Sequence, residues 1–114
     1  MTGTNLTARS TLYHAGAELN RAGYHFLRIA GSGRLFDFVA WTRKKIIFVT
    51  VKRTRKGDIS RFSDEVQEIA SFLSENPLPG MVQFWIFSSS SWLIYQILPG
   101  GALRIRGGIH ESLR

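Results

Sequence analysis

The chain has 114 residues, 44% hydrophobic and 20% charged, with a net charge of +7 and no cysteine. That length suits one domain with a modest core. Eight Phe and three Trp exclude a disordered chain, and the missing cysteines exclude disulfides, thiolate metal sites and a cysteine nucleophile.

Residues 1–10 are polar and expected to be loosely ordered. Leu12, Ala15, Leu19 and Ala22 recur at helical spacing, so a helix is predicted over 11–22, with Gly23 as its stop. Tyr24–Ile29 reads as a strand, and Ala30-Gly31-Ser32-Gly33 as a loop. Leu35–Trp41 and Ile46–Lys52 are β-rich runs separated by Thr42-Arg43-Lys44-Lys45, which suits a four-residue hairpin loop. Phe62, Val66, Ile69 and Leu73 form the apolar stripe of a second helix over 60–75, ending at Asn76-Pro77. Met81–Phe87 and Trp92–Leu98 are two further strands joined by a run of serines, and Pro99-Gly100-Gly101 is a turn before a short tail. The order αβββαββ predicts a single α/β domain over 1–114, with a central mixed sheet flanked by helices. No apolar run approaches the roughly 18 residues of a membrane span. The N-terminal MTGTNLTARSTL lacks a signal-peptide core, so a cytoplasmic location is expected.

The charge is polarised. Residues 1–56 carry eleven basic and two acidic side chains, a net +9, whereas residues 57–114 carry four and six, a net −2. Seven of the eleven fall in Arg43-Lys44-Lys45 and Lys52-Arg53-Thr54-Arg55-Lys56. Such a half attracts polyanions, because cations that meet phosphates release condensed counterions; the plainer reading is a solubilising face. Arg43-Lys44-Lys45 is either a second nucleic-acid contact or a soluble turn.

Pairing Trp41 with Ile46 across the hairpin sets Asp37 opposite Thr50. By strand alternation, Thr50 and Lys52 then share a face with Asp37. An unpaired carboxylate between Phe36 and Phe38 would be costly. Either Lys52 neutralises Asp37 structurally, or the acid holds a divalent cation at a phosphate while the lysine orients water.

Arg28-x-Ala30-Gly31-Ser32, then Asp37-x-Val39-Ala40, then a β-run ending in Val51-Lys52 resembles the archaeal Holliday junction resolvases of the PD-(D/E)xK, or restriction-endonuclease-like, nuclease superfamily. The resemblance implies a restriction-endonuclease-like fold, Mg²⁺ at Asp37, Lys52 assisting the water, and a role for Ser32. It also departs from the family pattern. Thr50 stands where the second metal-binding acid belongs, and Leu12 stands where the first-helix glutamate belongs. Glu65, flanking the stripe of the second helix, is the better substitute acid and Glu18 the poorer one. The plain alternative for Glu65 is a first-turn residue favoured by the helix dipole. Arg28, Ser32, Arg53, Arg55 and Lys56 are expected to border the Asp37 face and contact DNA phosphates.

The expectation is therefore a DNA-binding, resolvase-like protein with weak or lost cleavage. The alternative is an active Mg²⁺-dependent, structure-specific endonuclease with a relocated acid. A third possibility is a subunit that binds another protein. The aromatic strands Met81–Phe87 and Trp92–Leu98 are expected to leave an exposed apolar patch that makes the chain a homodimer.

Overall fold

The computed structural model describes residues 2–105. A helix α1 (Thr2–Arg21) is followed by three strands, β1 (His25–Arg28), β2 (Phe38–Trp41) and β3 (Ile46–Arg53). A single 3-10 turn (Ile59–Phe62) leads into α2 (Ser63–Glu75), and then come β4 (Met81–Ser88), β5 (Ser91–Leu98) and β6 (Gly101–Ile105). The six strands form one sheet in chain order. Every pairing is antiparallel except β3 with β4, which the α2 crossover makes parallel. The mixed α/β architecture is the expected one.

Three details differ from the sequence reading. The helix α1 begins at Thr2, although an apolar stripe is visible only from Leu12. The packed half supplies the nucleus, and each further residue then adds a hydrogen bond at little cost. β6 completes the sheet where only a tail was expected. Its residues Ala102, Leu103 and Arg104 are all exposed, so an edge strand held by backbone bonds left no strong alternation to read. The third concerns the aromatic strands. β4 lies inside the sheet, and its Phe84, Trp85 and Ile86 are fully buried. Trp92 packs edge-on against Trp85 with ring centroids 5.4 Å apart. The domain covers most of this apolar surface itself, leaving Leu98 exposed and Trp92 and Leu93 half-buried, which weakens the patch argument for a homodimer.

The sheet is covered on both faces. On one, Ala15 and Leu19 of α1, with Ala22 just beyond its end, pack against Phe38, Val49, Val51 and Trp85. On the other, Ile69, Ala70 and Leu73 of α2 meet Val82, Phe84, Ile86 and Ile97. Period-2 alternation therefore sends odd positions of β3 toward α1 and even positions toward α2. Asp58 caps the turn before α2, accepting from the Ser60 N–H at 3.0 Å and the Ser60 hydroxyl at 2.8 Å. Those bonds hold its carboxyl below the ordinary aspartate range.

Candidate functional site

The predicted hairpin register is the observed one: Trp41 pairs with Ile46 and Phe38 with Val49. Asp37 thus precedes β2 at a junction of three strands. Its N–H donates to the Val49 carbonyl at 2.7 Å, and its own carbonyl accepts from the Ile29 N–H at 2.9 Å. Its side chain, only 8% exposed as a residue, reaches back to β3, where Oδ2 accepts from the Val51 N–H at 2.8 Å. The carboxylate extends the ladder one step beyond the point where β2 has left the sheet.

The other oxygen belongs to Arg34. The guanidinium Nε and NH2 both lie 3.0 Å from Asp37 Oδ1, and its NH1 donates to the Gly31 carbonyl at 2.6 Å. The loop can deliver Arg34 here because Gly31 and Gly33 adopt φ of +105° and +74°, conformations open to glycine at little cost. Sequence reasoning offered Lys52 as one candidate for the counter-ion. Lys52 instead pairs with Glu65 at 3.7 Å, a contact between side chains 33% and 43% exposed. An arginine three residues from the acid directs two donors of one rigid plane at the single oxygen Oδ1, a geometry a lysine cannot offer.

Asp37, Thr50, Lys52 and Glu65 line one cleft of about 210 Å³, together with Arg34 and Glu68. The structure thus brings Asp37 and the three residues grouped with it from the sequence into one cleft. Sequence reasoning missed Arg34 and Glu68. Arg34 is signalled only by its i−3 spacing to Asp37, and Glu68 by its i+3 spacing to Glu65 on the same helix face. Glu18 lies elsewhere: it pairs with Arg21 and lines a groove with His14 and Trp92 on the α1 side.

The basic residues expected around Asp37 also divide. Arg53 has the parity of Val51, so it projects toward α1. There its guanidinium donates to Thr11 Oγ1 at 3.2 Å and lies 5.3 Å from the centre of the Phe87 ring. Arg28 lines a groove under α1 with Arg9, Leu12 and Phe26. Alternation accounts for both: each is an odd step along its strand from the face that carries Thr50 and Asp37. Ser32, Arg55 and Lys56 are exposed loop residues.

The donor set does not fit a divalent cation. A hard cation such as Mg²⁺ requires oxygen ligands in a nearly octahedral shell, with carboxylates directed at it. Both Asp37 oxygens already accept N–H donors, and the Arg34 guanidinium occupies the flank that a cation would need. Thr50 Oγ1 is neutral and donates to the Leu35 carbonyl at 2.6 Å. Among the described residues, no three His, Asp or Glu side chains converge to share an ion. The site balances its charge with an internal cation.

No protein-family profile matches the chain, and no curated protein is significantly similar to it. Among solved structures it is similar to that of Hjc, a Holliday junction resolvase from the archaeal hyperthermophile Archaeoglobus fulgidus. The TM-score is 0.60 at 16% identity, over 91% of this chain and 92% of that one. The fold is resolvase-like, of the restriction-endonuclease-like kind. Among the described residues, no helix is long and apolar enough to cross a membrane.

Proposed function

We propose that this chain is a DNA-binding protein on a resolvase-like scaffold, with weak or absent cleavage. The observation that carries the reading is the state of Asp37: its oxygens are held by Arg34 and the Val51 N–H, opposite a Thr50 hydroxyl that is itself engaged. Metal-assisted hydrolysis must neutralise charge on a phosphate and acidify a bound water. A carboxylate already neutralised by an arginine supplies neither. The +9 half of the sequence supports the binding side of the reading.

The alternative is an active Mg²⁺-dependent endonuclease, favoured by Glu65 and Glu68 lining the same cleft as Asp37. In that reading Asp37 and Glu65 would hold the ion, which would acidify a bound water, while Arg34 and Lys52 would face the substrate phosphate. A homodimer, which would present two such clefts to a branched substrate, rests mainly on the resemblance. Sedimentation at tens of micromolar tests it, and a monomer mass there removes it.

Fluorescence anisotropy with a four-way junction and a matched duplex tests the main reading. With about six phosphates neutralised, affinity falls on the order of a thousandfold between 50 and 200 mM salt. A flat titration, or no binding of either DNA, overturns it. Incubation of the same junction with Mg²⁺ or Mn²⁺ gives no efficient cutting. Efficient cutting that Asp37→Asn abolishes establishes the alternative instead.

A further inference from the structure

The opposite end of β3 has a different character. The four-residue turn 42–45 is closed by the Thr42 N–H, which donates to the Lys45 carbonyl at 2.9 Å. Inside it the Lys44 N–H donates to Thr42 Oγ1 at 3.2 Å. Arg43, Lys44 and Lys45 therefore leave from a fixed backbone. Facing them is the turn that starts β4, and its Gly80 is wedged against the hairpin: a Cβ there would sit 2.0 Å from the Ile46 carbonyl oxygen. Between the two turns lies a cleft of about 590 Å³, within the range of small-molecule sites. Its lining includes all three cations and no acid.

The cleft is more than a basic rim. Trp41, Met81 and Gln83 contribute to its lining. Gln83 is fully buried. Its Oε1 accepts from Trp85 Nε1 at 2.8 Å, whereas its Nε2 donates to the Met81 sulfur at 3.2 Å. Both ends of the amide are thus engaged within the fold, and Gln83 forms a fixed floor under the cleft.

Resting on the reading that the chain binds nucleic acid, we infer that this cleft takes an unpaired nucleotide of a single strand. Arg43, Lys44 and Lys45 meet its phosphates, and its base stacks on Trp41, which lines the same cleft. Duplex DNA presents a convex backbone with its bases stacked inside, so a concave, partly apolar cleft offers it nothing beyond the cations. An unpaired nucleotide has a flat base with polar edge acceptors and a phosphate within reach, the combination that aromatic and basic grooves select.

The test is anisotropy with a 5′-labelled dT12 and a duplex of equal length, using the full chain. The dT12 binds at least about tenfold more tightly than the duplex, in line with stacking of one base. The surface variant Arg43→Gln/Lys44→Gln/Lys45→Gln lowers the magnitude of the salt slope for dT12 by about 2, the value for three lost single-strand phosphate contacts. The single variant Arg43→Gln weakens dT12 binding, while Arg104→Gln, on the distant β6, leaves it unchanged. Trp41→Phe keeps a ring and most of the affinity, and Trp41→Ala lowers it about tenfold or more. Equal binding of dT12 and duplex, or an unchanged salt slope in the triple variant, overturns this inference while leaving DNA binding standing. No binding of any DNA by the wild-type chain overturns both.

Discussion

The two ends of strand β3 spend charge in opposite ways. At the Thr50–Lys52 end, two cations and three carboxylates line one cleft, with Arg34 on Asp37 and Lys52 on Glu65. At the Ile46 end, three cations line a cleft that contains no acid. Charge paired within a cleft recruits little from solution, whereas a cleft lined by cations and no acid attracts anions. The residues that most resemble a catalytic centre are thus not those best placed to attract a polyanion.

The sharpest way to break this contrast is Asp37→Ala. It leaves the Val51 N–H and the Arg34 fork without their acceptor, so unfolding free energy falls by about 2–3 kcal/mol, as read by urea denaturation. A loss below about 0.5 kcal/mol means that Asp37 is not the structural acceptor described above. At the other end, Gly80→Ala drives a methyl group into the Ile46 carbonyl and costs about 2 kcal/mol. It should also weaken dT12 binding, because the wall of the cleft must move.

Arg34→Ala sharpens the comparison chemically. With the guanidinium gone, Asp37 Oδ1 is open, and adding Thr50→Glu supplies a second carboxylate. Mn²⁺ affinity measured by electron paramagnetic resonance rises about tenfold or more in the double variant over wild type, the effect of adding a charged ligand to a hard-cation site. Equal affinities show that Arg34 was not excluding the ion. The smallest effect belongs to Lys52→Met. Its pair with Glu65 is long and substantially exposed, so melting changes by no more than about 0.5 kcal/mol. A larger loss makes Lys52 part of the structural charge balance.

The hairpin was readable because a four-residue loop between two β-rich runs leaves one register that keeps Phe38, Ala40, Ile47 and Val49 on the same buried face. That register placed Asp37, Thr50 and Lys52 together. The choice of counter-ion was not readable, since it depends on the path of the Gly31–Gly33 loop, and backbone conformations at glycine are nearly unconstrained. The destinations of Arg28 and Arg53 were available in principle from strand parity. Grouping cations by closeness in sequence ignored the alternation that sends neighbours to opposite faces. Burial of β4 could not be seen from its composition alone. An apolar run reads the same whether it is central or exposed, and only the parallel pairing across α2 settles which it is.

That parallel pairing also divides the chain by folding distance. The units β1–β2–β3 and β4–β5–β6 each close through neighbouring antiparallel strands. They meet along one seam, Ile47–Arg53 against Met81–Phe87, whose partners lie 34 residues apart in the chain. Loop-closure entropy must be met before such contacts contribute, so joining the seam is the slow event. Until then the MVQFWIF segment of β4 lacks its β3 partner and has the composition of an aggregation-prone strand. Truncating Val49 or Phe84 should therefore slow refolding, while truncating Leu103 on the outer edge should mainly speed unfolding. The same seam that buries the aromatic strand sets the interval during which it is open to the wrong partner.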